Sequence, residues 1–392
     1  MKVPLLDLQA QLEQIQDELI NSVTRVINST RYIQGPEVSA LEQEVADYCG
    51  TGYGVGVSSG TDALLVSLMA LGVGQGDRVL TTPYSFFATM GVILRVGAIP
   101  VFADIEPESF NIDPVKVAEI LESDTNRTIK AIMPVHLYGQ CADMTSIMRL
   151  ARHHGAVVIE DAAQAIGAEY NFVQDGSTYK KRAGSMGLCG CFSFFPSKNL
   201  GGIGDGGMVI TEDKNFAEKL VLMRNHGAYP KYYHKMVGGN FRLDPIQAAA
   251  LRVKLPYLDG WHKKRATNAS LYNSLFSDTP LIESGKIVLP VSVYDTKTND
   301  DLTVFTPHIY NQYIIRTKRR DALRDWLLAN DIGCEIYYPV PLNQQECLKG
   351  YNSVSCPVAE KAANETLALP IYPELTPDMQ GYVVEKIVQF YN

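Results

Sequence analysis

One lysine in the chain is framed as surface lysines rarely are. Lys198 follows the aromatic run Ser193-Phe194-Phe195 and the turn Pro196-Ser197, and five glycines crowd the seven residues from Gly201 to Gly207. An amine held on such a loop can condense with an aldehyde to a Schiff base. The plain alternative is a lysine in a loose turn, and the apolar neighbours argue against it. A second segment, Val157-Val158-Ile159-Glu160-Asp161-Ala162-Ala163-Gln164, is an apolar run ending in acid. A carboxylate there can keep a pyridine nitrogen protonated, and it can equally cap the following turn. A third, Ser58-Ser59-Gly60-Thr61-Asp62, ends a β-rich run and opens a helical one. Its free N–H groups, positive dipole end, close-approach glycine and threonine hydroxyl suit a phosphate. An ordinary Ser/Thr cap has the same residues, and the segment alone does not separate the two.

Other motifs carry less. Residues 202–207 spell G-x-G-x-x-G, but that dinucleotide fingerprint must follow a strand and open a helix, and a strand-like Met208-Val209-Ile210-Thr211 comes next. No Walker A spacing follows a glycine. His153-His154 has no partner at metal-ligand spacing, so no metal is expected. His226 before Gly227 reads as structural. His308 and Tyr338, in a Tyr337-Tyr338-Pro339 run, are candidate substrate contacts. Tyr229, Tyr232 and Tyr233 around Lys231 suit either a diphosphate grip or surface packing. Trp261 and Trp326 read as packing residues.

Placing these groups takes a particular set of elements. Leu8, Leu12, Ile15, Leu19, Val23 and Val26 have helical spacing, as do Val38, Leu41, Val45 and Tyr48 after Pro36. From residue 53, seven β-rich runs (53–59, 78–84, 99–105, 129–137, 156–163, 189–195 and 206–212) alternate with helical stretches near 61–71, 86–96, 113–123, 143–154 and 214–224. Several runs are apolar throughout, as strands covered on both faces are. The pattern predicts an α/β architecture, a mostly parallel seven-stranded sheet flanked by helices. Ligands of such sheets sit outside the carboxyl ends of the strands, where all three candidate segments fall. Beyond Pro256 the texture changes to helix 258–276, an exposed polar loop 294–303, strand 308–317, helix 319–331, strand 332–339 and helix 376–391. We expect a large domain over 1–255 and a smaller α+β domain over 256–392, since one core rarely serves 392 residues.

With 46% hydrophobic and 20% charged residues the composition is that of a globular protein. A net charge of -8 argues against a nucleic-acid groove, while a local site for a phosphorylated ligand remains possible. Seven cysteines without a C-x-x-C pair read as free thiols. Acidic and amide residues near the N-terminus exclude a signal-peptide core, and no apolar run reaches membrane-spanning length. The expectation is a cytoplasmic protein with no membrane partner.

Taken in order, these motifs resemble the DegT/StrS-type nucleotide-sugar aminotransferases, a fold-type I family that uses pyridoxal 5'-phosphate (PLP). The resemblance runs from RYIQGPEVSALEQEVADYCG (31–50) through SSGTDALL, TTPYSFFATM, EDAAQAIGAEY (160–170), SFFPSKNLGGIGDGGMV (193–209) and GGNFRLDPIQAAALRVKL (238–255) to YYPVPL (337–342). It implies that Lys198 carries the cofactor and shuttles the proton, that Asp161 pairs with the pyridine nitrogen and that Gln164 contacts the ring hydroxyl. It assigns Gly60, Thr61 and Ser193 to the phosphate and Phe86 to the ring face. Asn240 would reach the cofactor of the neighbouring subunit in a homodimer, with Arg242 following it. The implied reaction moves an amino group from L-glutamate to a nucleotide-linked (UDP or dTDP) keto-sugar by a ping-pong route.

Departures narrow the reading. Phe195 stands where many members have His or Tyr, and it cannot donate a hydrogen bond. Members that aminate C-4 often carry His where Asn343 stands and Glu-Gly-Gly where Asp205-Gly206-Gly207 stands. The segment here is more similar to members that aminate C-3. Two other functions fit the same residues: dehydration at a sugar carbon, whose relatives typically replace the lysine with His, and a non-catalytic regulator that binds PLP and a sugar nucleotide.

Overall fold

The computed structural model describes residues 1–294, 305–351 and 354–392. Its strands, in chain order, are β1 (Tyr53–Val57), β2 (Arg78–Thr81), β3 (Ile99–Phe102), β4 (Ile129–Met133), β5 (Val157–Asp161), β6 (Glu169–Gln174), β7 (Ser177–Arg182), β8 (Cys189–Ser193), β9 (Gly207–Thr211), β10 (Tyr313–Arg316) and β11 (Thr366–Leu369). Seven of them form one sheet in the order β1-β9-β8-β5-β4-β2-β3. The pairs β2/β3, β2/β4, β4/β5 and β5/β8 are parallel, and β9 runs antiparallel to both β1 and β8. This is the expected fold-type I α/β sheet.

Alternation along the central strands accounts for the two layers. Ile132 of β4 and Val158 of β5 pack into one core cluster with Val45, Met144, Ile147 and Phe192. Their neighbours Ala131, Met133 and Ile159 point the other way, into a cluster with Leu64, Leu68, Val92 and Leu220. A strand buried on both faces needs an apolar residue at every position, which is why these runs lack the polar alternation of a half-exposed strand. Each such side chain contributes about 1.5–3 kcal/mol over its exposed state.

The helix after β1 (Gly60–Leu71) starts on an Asp62 N–H donated to Ser59 Oγ and stops at Gly72, whose φ is 80°. The helix Phe87–Arg95 follows β2, and Leu258–Ser277 leads into the C-terminal unit. There Tyr272, Tyr313, Leu323, Leu327, Leu367, Val383 and Ile387 share a core of their own. Val3 joins it although it lies near the start of the chain: Val3 N–H donates to Asp331 O at 2.9 Å, and Gly333 N–H to Val3 O at 2.8 Å.

Four local expectations differ. The N-terminal helical run is two helices, Leu8–Glu13 and Gln16–Ser29, and the break turns Ile15 into the main core at 2% exposure. Strand 308–317 shortens to β10, paired antiparallel with β11, a four-residue run too short to show periodicity. Residues 332–339 make only single bridges, Ile332 to Val3 and Glu335 to Ala368, and form no strand. The hairpin β6–β7 was not expected, although its turn Asp175-Gly176 has φ values of 51° and 78°, the left-handed pair that two-residue hairpin turns require. The polar loop 294–303, apart from Tyr294, lies outside the described residues. Among the described residues no helix is long and apolar enough to cross a membrane, and all seven cysteines are free.

Candidate active site

The site is built from strand ends that the sheet order makes neighbours. β5 pairs with β8 so that Asp161 stands opposite Cys191, two residues before Ser193. β9 brings Gly207 between Val57 of β1 and Ser193 of β8. The three segments singled out in the sequence therefore converge at one edge of the sheet.

Two glycines make the convergence possible, and the requirement is room. A Cβ on Gly60 would lie 2.6 Å from Ser193 Cβ, 3.0 Å from its Cα and 3.1 Å from its Oγ. A Cβ on Gly207 would lie 2.3 Å from Ser59 O and 2.8 Å from Gly60 N. The start of the helix Gly60–Leu71 is thus pressed against the end of β8. The Gly60 and Thr61 N–H groups at that start and the nearby Ser193 hydroxyl are donors of the kind an anion cradle uses. Ser58 and Ser59 hydroxyls donate to Asp62 Oδ2 at 2.7 and 3.1 Å, which holds that turn.

Lys198 lies on a tight turn after β8: its own N–H donates to Phe195 O at 2.8 Å, and Gly202 N–H to Phe194 O at 2.8 Å. Asn199 anchors the turn, donating to Ile309 O at 3.3 Å and accepting from Asn311 Nδ2 at 2.7 Å. Burial lowers the Lys198 amine to about 8, against the opposing pull of the Asp161 charge. At that value about half the side chain is a neutral nucleophile near pH 8.

Asp161 is 4% exposed. Burial pushes its carboxyl upward, while Thr89, the Ala163 N–H, Lys198 and His136 pull the other way. Thr89 Oγ1 donates to Asp161 Oδ2 at 2.8 Å, and Ala163 N–H to Oδ1 at 3.3 Å. Its chain neighbour Glu160 points to the opposite side of β5. There it accepts N–H groups of Gly184, Met186 and Gly187 at 2.8, 2.6 and 2.6 Å and His136 Nε2 at 2.8 Å, so Glu160 builds the wall.

Gln164 joins two further residues: its Oε1 accepts Tyr138 N–H at 2.8 Å, and its Nε2 donates to Tyr338 OH at 3.1 Å. Tyr84 OH contacts Tyr337 O at 2.8 Å, Thr366 Oγ1 at 2.7 Å and the Tyr338 N–H at 3.1 Å, and the Tyr138 hydroxyl also reaches Tyr337 O. This hydroxyl cluster ties the large sheet to the C-terminal unit. The Phe86 ring, 58% exposed, lies 6.2 Å from that of Tyr338.

The other expected residues make different contacts. Asn240 is exposed and bridges to Asn225 through the backbone. Arg242 bridges to Val57 and donates to Asn225 Oδ1 at 2.9 Å. His308 is 4% exposed, stacks on Tyr310 at 3.9 Å and accepts Tyr310 N–H at 3.0 Å. Burial lowers it to about 3. In this position the His308 ring packs on Tyr310, on the segment whose Ile309 O anchors the lysine turn through Asn199. Sequence reasoning missed Thr89, Ser85, Tyr84 and Tyr138. Thr89 lies three residues after Phe86, and no local pattern marks it.

A model of the DegT/DnrJ/EryC1/StrS aminotransferase family matches residues 13–388. The chain belongs to this family. Among similar proteins, the pleiotropic regulatory protein of Geobacillus stearothermophilus is 46% identical, with 100% of this chain and 99% of that protein covered. The UDP-N-acetyl-3-dehydro-alpha-D-glucosamine 3-aminotransferase of Acidithiobacillus ferrooxidans is 41% identical, with 95% and 94% covered. The crystal structure of S. venezuelae DesV in complex with a ketimine intermediate superposes with a TM-score of 0.88 at 38% identity, covering 99% and 98% of the two chains. Family membership accounts for the concentration of chemistry at one sheet edge, where this aminotransferase chain gathers Lys198, Asp161 and the Gly60 cradle.

Proposed function

We propose that this family member uses PLP to move an amino group from L-glutamate to C-3 of a UDP- or dTDP-linked keto-sugar. The observation that carries the reading is the placing of Lys198, on a tight turn after β8, near a buried carboxylate at the end of the adjacent parallel strand β5. The residues present fit the cofactor. Gly60, Thr61 and Ser193 offer donors where a dianionic phosphate needs them, Asp161 offers a carboxylate for a pyridinium, and the exposed Phe86 ring is free to cover its face. Bound there, PLP supplies the electron sink that the chemistry requires.

The chain's own residues do the rest. Lys198 Nζ would hold the cofactor through its aldehyde and, once the incoming amine has freed it, would carry a proton between the amino-bearing carbon and the cofactor's former aldehyde carbon, a role its lowered pKa suits. Asp161 holds the ring nitrogen charged. Gln164 and Tyr338 form the wall beside the ring hydroxyl. Asn240 and Arg242 stand outside this cluster, consistent with reaching a neighbouring subunit's site in a homodimer. The Acidithiobacillus relative's name specifies a 3-amino product, and Asp205-Gly206-Gly207 and Asn343 agree with C-3. The regulatory name of the Geobacillus relative does not displace this reading, because the lysine and the carboxylate are both in place here.

The test is the visible spectrum of the PLP-loaded protein. L-glutamate bleaches the band, and a UDP- or dTDP-linked 3-keto sugar restores it faster than its 4-keto isomer. Lys198→Ala gives no response. A band indifferent to glutamate refutes the donor half of the reaction, and equal rates for the two sugars refute the choice of C-3.

A further inference from the structure

The charge on Asp161 needs a source of stabilisation that the motifs do not name. The carboxylate is 4% exposed, and among the described residues it makes no ion pair with a lysine, arginine or histidine. Burying an ionised carboxylate costs free energy unless hydrogen bonds to it offset the loss of water. Two donors reach it. One is the Ala163 N–H at 3.3 Å, and the other is the Thr89 hydroxyl at 2.8 Å, the shorter of the two.

Thr89 is itself fully buried, and Ser85, at 4% exposure, has its hydroxyl 3.0 Å from that of Thr89. The Thr89 proton goes to the carboxylate, so Ser85 donates to Thr89, giving a chain Ser85 to Thr89 to Asp161. Donation along such a chain strengthens each link. A threonine in a helix usually turns its hydroxyl back to a carbonyl of its own helix. Here it reaches instead across 72 residues of sequence to β5, at the modest cost in helix propensity of a β-branched residue. The same helix start carries Phe86, so one turn of chain places both the carboxylate's partner and the ring-covering aromatic.

We propose that Thr89, backed by Ser85, is a positioning residue that keeps Asp161 ionised and aimed at the cofactor's pyridine nitrogen. This rests on the PLP reading above. Two other charges act on the carboxylate, Lys198 and His136. Lys198 is consumed when the cofactor is attached, and His136 turns its Nε2 to Glu160 at 2.8 Å. Thr89 therefore remains as the side-chain donor to Asp161 in the loaded protein.

The experiment compares Thr89→Val, Thr89→Ser and Ser85→Ala with the parent protein, each as full-length chain, by PLP titration of the apo form and by pH titration of the loaded form. Valine keeps the shape and removes the donor. The PLP dissociation constant of Thr89→Val should rise about tenfold or more, the loss expected for a hydrogen bond to a charged group. The pH midpoint of the visible band should move up, because a weaker positive charge on the ring nitrogen repels the chromophore's titrating proton less. Thr89→Ser should restore both, and Ser85→Ala should shift both in the same direction by less. A merely structural threonine would lower thermal stability without moving the midpoint. Unchanged affinity and midpoint in Thr89→Val, with the parent still binding PLP through Lys198, would overturn the role of Thr89 alone. If Thr89→Val does not fold, Ser85→Ala decides: an unmoved midpoint there overturns the proposal. A parent protein that binds no PLP overturns the cofactor reading and this proposal with it.

Discussion

Replacing Gly60 by alanine isolates the anion cradle from the rest of the site. The added Cβ would stand 2.6 Å from Ser193 Cβ, about 0.9 Å inside a carbon–carbon contact of roughly 3.5 Å. Relief by moving Ser193 is blocked, because β8 is hydrogen-bonded to β5 on one side and β9 on the other. Relief by moving the helix is limited by Gly207, which packs so close that even an added Cβ would lie 2.3 Å from Ser59 O and 2.8 Å from Gly60 N. Overpacking of this kind costs about 1–3 kcal/mol. Alanine's better helix propensity returns less than about 1 kcal/mol, so the apo protein should lose about 1–2 kcal/mol in denaturant unfolding. The PLP dissociation constant should rise further, by about 10- to 100-fold, because a displaced helix start weakens charge-assisted bonds to the phosphate. Gly260→Ala is the contrasting control. Gly260 lies inside the helix Leu258–Ser277 with nothing within 4 Å of its added Cβ, and there alanine should stabilise by about 0.5–1 kcal/mol. A Gly60→Ala protein that matches the parent in stability and binds PLP within about twofold would refute the packing argument and the cradle with it.

Three further outcomes follow from the same geometry. Because burial brings the Lys198 amine down to about 8, condensation of the apo protein with a small aldehyde, trapped by borohydride, should rise with pH through about 8 and level off above it. Asp161→Asn removes the charge that raises this value, so the midpoint should move lower still, and a midpoint near that of an ordinary lysine would refute the burial argument. Glu160→Gln puts an amide where three backbone N–H groups and His136 Nε2 all point at a fully buried carboxylate. It should cost about 3–5 kcal/mol in denaturant unfolding, and a loss under about 1 kcal/mol would show that Glu160 does not hold the 184–187 turn.

The seven sheet strands were legible because each is a short β-rich run bounded by turn residues, and the central ones, buried on both faces, are largely apolar. β11 was not, since four residues carry no period, and residues 332–339 look like a strand but find only single bridging partners at Val3 and Ala368. The hairpin β6–β7 did carry a signal, Asp175-Gly176, that its polar second strand, with four exposed residues of six, obscured. Within the site, Lys198, Asp161 and Gly60 stood out because each interrupts an apolar run at a strand end.

The sequence by itself determined which segments carry the chemistry and that they lie at strand ends, because backbone periodicity and turn residues act over a few positions. Only the tertiary structure decided which of those ends are neighbours: the order β1-β9-β8-β5 is set by packing across the whole sheet. That order presses Gly60 against Ser193, sets Thr89 on Asp161 and links Gln164 to Tyr338. It also buries His308 against Tyr310. Contacts between residues tens to hundreds of positions apart depend on how the elements stack, and no local spacing along the chain encodes them.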